Sequence, residues 1–372
     1  MTSDPNPSRP GEGSQESVSP NPSLTPLSRT SPLLPGHVLD GRFQVKGLIN
    51  KGGMASVFEA VDLTTGELVA LKVPLSKYQT EPLYVGRFRL EEETGLLLHH
   101  PSLLRIIPTP NKSRPYIVME RLRGQLLSEL VKGGHPLPAA RALPIAIAIA
   151  KAVEYMHGQQ VLHRDLKPGN VMICDDGSIR ILDFGLATSE RASTKGGPLG
   201  IPSALGTPDY MPPEHVNGDR GDQRSDVYCL GVILYEMLTG GVPFQDDDIF
   251  AVMHARVVGD PRRPRDLAPD LSPQLEEIIL HAMERDPARR YSRMSEFRQD
   301  LEAPEQVAVT GRANRLVPPP AWKILWRRVR HFVLTLLIIV LLMLLLTLVV
   351  LVGAHPRARS RSRGSEPASE QR

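Results

Sequence analysis

An apolar run near the C-terminal end constrains this chain more than any other feature. The 21 residues from Phe332 to Val352 carry no charged side chain, and Thr335 and Thr347 are the only polar residues among them. At about 1.5 Å per helical residue the run spans about 31 Å, which matches a bilayer core of about 30 Å. A buried core helix would keep a polar stripe, whereas this run is apolar on every side. We therefore predict one transmembrane helix over 332–352.

The residues before this run are typical of a membrane boundary. Trp322 and Trp326 lie where interfacial anchors are expected, and residues 306–331 hold six basic side chains and no acidic one. This weak positive bias favours the N-terminal side of the run on the inner face of a membrane. We interpret 304–331 as a basic juxtamembrane linker and 353–372 as a short Arg/Ser-rich tail that is too small to fold alone.

Away from these flanks the chain is mildly acidic. The 372 residues have a formal net charge of +3, but the first 305 hold 33 basic and 39 acidic side chains. Nucleic-acid binding needs a basic domain surface, so we expect no nucleic-acid partner. The two cysteines, Cys174 and Cys229, lie far apart without metal-ligand spacing. This excludes a disulfide scaffold and predicts buried thiols in a reducing compartment.

The composition changes along the chain. Residues 1–41 are rich in proline and serine without hydrophobic periodicity, so we predict a disordered N-terminal tail. Between 42 and 303, mainly strands are predicted first and mainly helices later, which indicates an α+β fold with a small strand-rich unit and a larger helical one. The predicted strands lie at 43–45, 56–60, 67–73 and 116–119, and the predicted helices at 85–98, 138–157, 225–239 and 274–284.

A turn of small residues lies between the first two strands. It runs from Asn50 to Val57 and contains Gly52 and Gly53. Small side chains let a strand-turn-strand backbone close over phosphates with its N–H groups facing the anion. A plain hairpin turn explains the same residues, so this motif alone leaves both interpretations open.

A lysine, Lys72, ends an apolar strand that contains Ala70. A lysine in such a run faces the core with its neighbours and needs an anionic partner there. Glu91 on the following predicted helix is the candidate partner. An ordinary surface lysine is the alternative interpretation.

The most specific pattern is HRDLKPGN, which starts at His163 and is followed by DFG at Asp183. Phosphoryl transfer from ATP needs a carboxylate near the attacking hydroxyl, oxygen ligands for magnesium and cations on the moving phosphate. Asp165 can orient or deprotonate the hydroxyl, and Lys167 can balance charge on the phosphate. Asn170 and Asp183 supply hard oxygen ligands of the kind that Mg²⁺ prefers.

With these motifs in this order, the chain resembles a serine/threonine protein kinase over residues 42–303, and it is similar to the membrane-anchored bacterial members of that family. The resemblance implies a two-lobed protein-kinase fold with ATP in the cleft. Its β-rich N-lobe would be 42–120, its hinge 120–124 and its helical C-lobe 125–303. Lys167, placed two residues after the catalytic aspartate, indicates Ser/Thr rather than Tyr specificity.

The resemblance also assigns site residues. Lys72 would hold the α- and β-phosphates with Glu91 as its partner, and these two join Asp165 and Lys167 in the implied catalytic set. Met119 would be the gatekeeper beside the hinge. The implied ATP-binding residues are Asn50, Gly52, Gly53, Val57, Ala70, Lys72, Met119, Glu120, Leu122 and Met172.

In the C-lobe the resemblance implies supports for substrate and loops. Thr207 would be the substrate platform, Asp226 would anchor the catalytic loop, and Arg290 would pair with Glu214. Arg164 precedes the catalytic aspartate, and kinases of that type often need a phosphate in the activation segment to place this arginine. The candidate phosphorylation sites are Ser193, Thr194 and Ser203, with Thr188 and Ser189 as further hydroxyls.

Two positions depart from the family pattern. Asn50 stands where the first loop glycine is usual, and Ala55 stands where the third is. Asparagine tolerates left-handed backbone angles better than most residues, so its presence at position 50 is plausible. Neither change removes a charge or a metal ligand.

The sequence thus predicts ATP-dependent phosphorylation of Ser/Thr hydroxyls on proteins, including autophosphorylation, by a membrane-tethered signalling kinase. Asn170 and Asp183 would hold Mg²⁺, with Mn²⁺ as an alternative. The expected partners are ATP, protein substrates, the lipid bilayer at 332–352 and a second copy of the chain for trans-autophosphorylation. The expected location is a cell membrane crossed once, with the kinase domain in the cytoplasm and the C-terminal tail on the opposite side.

Two other functions are open at this stage. A catalytically weak pseudokinase would use the same fold as a membrane scaffold. Loss of Lys72, Asp165, Asn170 or Asp183 would favour that function, and all four residues are present. A membrane adaptor acting through the Pro/Ser-rich tail would need partner binding that is independent of 42–303.

Overall fold

The fold is known from a computed structural model that describes residues 33–79, 81–184, 188–189, 208–317, and 333–347 apart from 334 and 346. The chain divides into two units, one ending at Leu316 and one beginning at Val317. In the second unit residues 335–345 are helical. Within the ranges just given, no helix is both long and apolar enough to cross a membrane. Several predicted segments fall outside these ranges, namely the tail before residue 33, the tryptophans at 322 and 326, part of the 332–352 run, and the tail 353–372.

The smaller lobe of the first unit is an antiparallel sheet with one helix. It comprises β1 (Val38–Leu39), β2 (Phe43–Lys51), β3 (Ala55–Asp62), β4 (Leu68–Pro74), helix α1 (Pro82–Leu97) and β5 (Ile117–Glu120). The five strands lie in sequence order across the sheet. Phe43 and Val45 of β2 are fully buried, as the two-residue period of a half-buried strand requires.

The larger lobe is mainly helical. Its helices are α2 (Leu127–Val131), α3 (Ala139–Gly158), α4 (Pro213–Val216), α5 (Gln223–Thr239), α6 (Ile249–Val258), α7 (Pro264–Leu267), α8 (Pro273–Ala282), α9 (Met294–Glu302) and α10 (Arg312–Arg315). Two small sheets complete it. One contains β6 (Gly124–Leu126), β8 (Val171–Cys174) and β9 (Ile179–Ile181), and the other pairs β7 (Val161–Leu162) with β10 (Thr188–Ser189).

Helix α5 is the core of the larger lobe. The Asp222 side chain caps its first turn by accepting from the Arg224 N–H at 2.8 Å. Gly240 ends it with a left-handed φ of +79°, and an added Cβ there would lie 2.3 Å from the carbonyl oxygen of Gly134. Nearly all of its 17 residues are buried, so the helix is covered on every side. A charged residue inside it, such as Asp226, therefore needs specific partners.

The α+β arrangement predicted from the sequence, with a small strand-rich lobe and a larger helical one, is confirmed. The early helix starts at Pro82, three residues before the predicted start, because proline suits the first turn of a helix. The sheet of β6, β8 and β9 was not among the predicted strands, since its members are three or four residues long. Such short strands carry almost no periodic signal.

The folded part extends beyond the predicted limits of 42–303 at both ends. Leu33 and Leu39 pack in the apolar core of the smaller lobe. After residue 303 the chain stays against α8, where the Arg312 guanidinium donates to the Glu277 carboxylate at 2.5 Å. The first part of the segment predicted as a linker thus belongs to the larger lobe.

Both cysteines are free thiols. Cys229 is buried in α5, as predicted. Cys174 is only half-buried, so the prediction of a buried thiol is wrong for this residue. It ends β8 and is followed by the exposed turn at 175–177.

The larger lobe contains a buried ion pair between Arg290 and Glu214. Arg290 donates to both carboxylate oxygens of Glu214, at 2.8 and 2.7 Å, and Ser225 Oγ donates to the same carboxylate at 2.7 Å. The Arg290 side chain is fully buried, and that of Glu214 is 9% exposed. Burial would raise the pKa of Glu214, but the guanidinium and the hydroxyl lower it. The pair therefore links α4 to the segment before α9 as charged partners.

We predict that Arg290→Met destabilises the larger lobe by about 3–5 kcal/mol, because it leaves the Glu214 carboxylate buried without its counter-ion. Urea unfolding monitored by circular dichroism measures this. The neighbouring Arg289 is the matched control, since its side chain is 68% exposed and lies 3.8 Å from Asp286. Arg289→Met should change the free energy of unfolding by less than about 0.5 kcal/mol. Equal effects of the two substitutions would show that the buried pair has no special role.

Candidate active site

Three charged side chains meet where the two lobes face each other. Lys72 on β4 donates to the Glu91 carboxylate on α1, and its Nζ lies 3.7 Å from Asp183 Oδ2 on the larger lobe. The side chains of Lys72 and Glu91 are 19% and 8% exposed, whereas that of Asp183 is 41% exposed. The Lys72 ammonium thus contacts a buried carboxylate, that of Glu91, and lies near a more exposed one, that of Asp183.

The electrostatics of this group favour a charged lysine. Burial lowers the pKa of Lys72, but the carboxylates of Glu91 and Asp183 outweigh burial and raise it. Burial also raises the pKa of Glu91, and the Lys72 ammonium opposes that rise. Lys72 therefore remains an ammonium group at neutral pH and can bind an anion.

The segment after β7 brings three further predicted residues together. Lys167 Nζ donates to Asp165 Oδ2 at 2.6 Å. The amide nitrogen of Asn170 donates to the Asp165 backbone carbonyl at 2.8 Å and to its carboxylate at 3.1 Å. A short 3₁₀ turn over Pro168–Asn170 sets this geometry. The Leu182 N–H donates to the Asn170 carbonyl at 2.9 Å, which places Asp183 beside this loop.

Asp226 of α5 binds the start of the loop that contains Asp165. Its carboxylate accepts the backbone N–H groups of His163 and Arg164, both at 2.9 Å. Arg164 has a left-handed φ of +65°, a conformation that needs such support in a residue other than glycine. His157 Nε2 also lies 2.8 Å from this carboxylate. Sequence reasoning missed His157, because a single histidine near the end of a helix carries no motif of its own.

Several of the predicted ATP-binding residues have apolar side chains. Ala70 lies opposite Met119 in the β4–β5 ladder, and both belong to the main apolar core, against which Val57 and Leu122 pack. Met172 lies opposite Leu126 in the β6–β8 ladder. Four of these predicted residues thus share the apolar core, and Met172 lies on the three-stranded sheet of the larger lobe. Their contact with ATP stays a prediction.

At the hinge itself, the Glu120 side chain accepts the Arg105 N–H at 2.8 Å. Its carboxylate also lies 3.7 Å from Arg180 Nε of β9, so this side chain contacts both lobes.

The small-residue turn joins β2 to β3. The Gly52 N–H donates to the Ala55 carbonyl at 2.9 Å, and Asn50 pairs with Val57 in the ladder. Asn50 does not have a left-handed φ, so its tolerance of such angles is not needed here. It is a paired strand residue, and ordinary extended backbone suits asparagine as well as glycine.

Part of the predicted site lies outside the described residues: Gly185, Ser193, Thr194, Ser203 and Thr207. Their roles stay predictions. Of Thr188 and Ser189 only the backbone is described, and it pairs with Leu162 and Val161 of β7.

The oxygen donors fit a magnesium–phosphate ligand. Asn170 uses its amide nitrogen for both bonds to Asp165, which leaves its oxygen for coordination, and the Asp183 carboxylate is the nearby anionic donor. In the described part of the chain no cluster of three His, Cys, Asp or Glu side chains could hold a metal alone. One carboxylate and one amide oxygen are typical of Mg²⁺ sites that nucleotide phosphates complete.

A two-lobed fold that places a lysine–glutamate pair opposite an Asp-Lys-Asn loop is that of a protein kinase catalytic domain. In agreement with this geometry, the protein kinase domain family matches residues 43–301. The chain belongs to this family.

Bacterial relatives match the same region. The probable serine/threonine-protein kinase SCO3848 of Streptomyces coelicolor is 37% identical over 272 residues, and the serine/threonine-protein kinase PknB of Mycolicibacterium smegmatis is 34% identical over 301 residues. These matches cover 71% and 77% of this chain but only 40% and 48% of the relatives, so the chain spans less than half the length of each. The predicted resemblance to bacterial serine/threonine kinases is confirmed.

Solved structures agree at the level of fold. The kinase domain of Mycobacterium tuberculosis PknI superposes with a TM-score of 0.58 at 24% identity. The match covers 73% of this chain and the whole of that domain.

The environment of Asp226 gives a pH-dependent prediction. Burial would raise the pKa of Asp226, but His157, His163 and the Arg164 N–H lower it to about 2. Because this folded-state pKa lies below the unfolded value, the stabilisation is complete at neutral pH and is lost as the pH falls toward 2. We expect Asp226→Asn to lower the free energy of unfolding by about 2–3 kcal/mol at pH 7, and by less at pH 3.

Urea unfolding at several pH values measures this difference. Asp270→Asn, at an exposed position, is the control and should have little effect at any pH. A deficit of Asp226→Asn that stays constant or grows on acidification would contradict the assignment.

Proposed function

We propose that this chain transfers the γ-phosphoryl group of ATP to Ser and Thr hydroxyls of proteins, including its own. One observation carries the proposal: Lys72, charged and 3.7 Å from Asp183, faces the loop in which Asp165 contacts both Lys167 and Asn170. These are the groups that phosphoryl transfer requires, and they converge on one cleft.

Each side chain has a role that its position supports. Asp165 orients the attacking hydroxyl and accepts its proton as the oxygen–phosphorus bond forms. Lys167, 2.6 Å from that carboxylate, balances charge on the phosphoryl group in transfer. Lys72 holds the α- and β-phosphates of ATP. Asn170 and Asp183 are the residues that would hold Mg²⁺, which neutralises phosphate charge when bound.

We further propose that the chain is tethered to the inner face of a cell membrane through 332–352. The support is the sequence, because 21 uncharged residues have the length of a bilayer core. ATP is a cytoplasmic substrate, which agrees with the basic residues that precede the run. Arg164 and the hydroxyls of the activation segment support activation by phosphorylation, with a second copy of the chain as the enzyme in trans.

We predict that Asp165→Asn and Lys72→Met each abolish phosphate transfer, since one removes the base and the other the cation for the nucleotide. The measurement is transfer of radiolabel from ATP to myelin basic protein with Mg²⁺ or Mn²⁺. Thermal unfolding should show that both variants are folded. Wild-type protein without transfer would favour the scaffold function instead. Variants as active as wild type would show that the transfer does not depend on the assigned residues.

Deleting 332–352 is predicted to move the protein from the membrane fraction to the soluble fraction with its phosphotransfer activity retained. The physical reason is that the deletion removes the apolar run and leaves both lobes intact. Fractionation followed by the radiolabel assay measures both properties. If the shortened protein stays with the membranes, the tether lies elsewhere in the chain.

A further inference from the structure

Helix α1 contains two glycines whose surroundings differ. Gly86 is exposed, and a Cβ added there would have no heavy atom within 4 Å. Gly95 is buried, and a Cβ added there would overlap Cγ1 of Ile106 and lie 3.4 Å from both Cβ and Cδ1 of the same side chain. Carbon atoms in contact are normally about 3.5–4.0 Å apart. Position 95 therefore has no room for a side chain as the two elements now lie.

Backbone freedom does not explain the glycine at 95. Its φ is not left-handed, and the helix continues to Leu97 before it ends. Within a helix, glycine is disfavoured relative to alanine because it loses more backbone entropy on folding. The close approach of α1 to Ile106 is thus the feature that requires glycine at this position.

Ile106 is held in place from both sides. The Ile107 N–H donates to the Val118 carbonyl at 2.8 Å, and the Glu120 N–H donates to the Arg105 carbonyl at 3.0 Å. These bonds tie the residues on either side of Ile106 to β5. The Ile106 side chain is 6% exposed in the main apolar core, and a β-branched side chain has few rotamers. A side chain at 95 would therefore displace the helix rather than Ile106.

The same face of α1 carries the partner of Lys72. Glu91 lies one helical turn before Gly95, so the two residues are neighbours on the helix surface. The Glu91 carboxylate accepts a hydrogen bond from the Lys72 ammonium. Restoring normal contact at position 95 requires the helix to move outward by about 1 Å. Hydrogen bonds to nitrogen end at about 3.2 Å, so such a shift separates Glu91 from Lys72.

We propose that Gly95 is a positioning residue for Lys72, because its lack of a side chain sets the distance between α1 and the sheet at which Glu91 reaches the ammonium group. This inference rests on the proposed function, in which Lys72 holds the phosphates of ATP. Gly95 itself takes no part in the chemistry.

The test separates the two substrates of the enzyme. Steady-state kinetics of the full chain, with myelin basic protein as acceptor, give kcat/KM for ATP and KM for the protein. For Gly95→Ala we expect kcat/KM for ATP to fall about tenfold or more, with KM for the protein changed by less than about twofold. The reason is that the displaced pair binds the nucleotide. Thermal unfolding shows whether each variant is folded.

Gly86→Ala is the matched control. It makes the same substitution in the same helix, but its Cβ enters open space. Both kinetic values should stay within about twofold of wild type. Since both substitutions remove the same helical disadvantage, helix propensity cannot account for a difference between them.

A second-site substitution tests the contact itself. Ile106→Ala removes the Cγ1 atom that the new Cβ would overlap. In the double variant Gly95→Ala/Ile106→Ala, kcat/KM for ATP should lie within about threefold of the value for Ile106→Ala alone. This comparison also decides the question if Gly95→Ala by itself does not fold.

Several results would overturn the proposal. One is a folded Gly95→Ala variant with wild-type kcat/KM for ATP, and another is an equal loss toward both substrates, which indicates general damage to the fold. A third is a double variant that stays about tenfold below Ile106→Ala, or that does not fold although Ile106→Ala does. Wild-type protein without transfer would refute the proposed function and this inference with it, whereas an active wild type leaves that function standing whatever Gly95→Ala does.

Discussion

The ammonium group of Lys72 is the interaction on which the rest of the site depends. It lies in an apolar strand, so removing it from water is favourable only if carboxylates surround it. Glu91 comes from α1 and Asp183 from the larger lobe, and both contribute to the raised pKa of the lysine. One cation therefore fixes the sheet, the helix and the start of the segment after β9 relative to each other.

The larger lobe uses buried charge in a related way. Asp226 holds backbone N–H groups of the catalytic loop, the Glu214–Arg290 pair holds the base of the lobe, and Arg256 holds backbone carbonyls of 209–211. Each of these groups would be replaced by an apolar residue if stability alone mattered. Their shared property is that each fixes one chain segment in a single conformation, which catalysis by positioned groups requires.

The residues of the candidate site could be named from the sequence, and the residues that support them only in part. Asp165, Asn170 and Asp183 were found because phosphoryl transfer needs those groups at fixed spacings. His157 was missed because its partner lies 69 residues away along the chain. Residue preference alone did not fix the backbone of Asn50, which is decided by its pairing with β3. Strand pairing and long-range contacts are tertiary effects that local patterns do not contain.

The central claim is that one cleft collects the nucleotide, the metal and the catalytic carboxylate. A crystal structure of the full chain with a non-hydrolysable ATP analogue and Mg²⁺ tests it most directly. We expect the Lys72 ammonium at the α- and β-phosphates, Asn170 and Asp183 on the metal, and the Asp165 carboxylate open toward the γ-phosphate. A nucleotide bound away from these four side chains would contradict it.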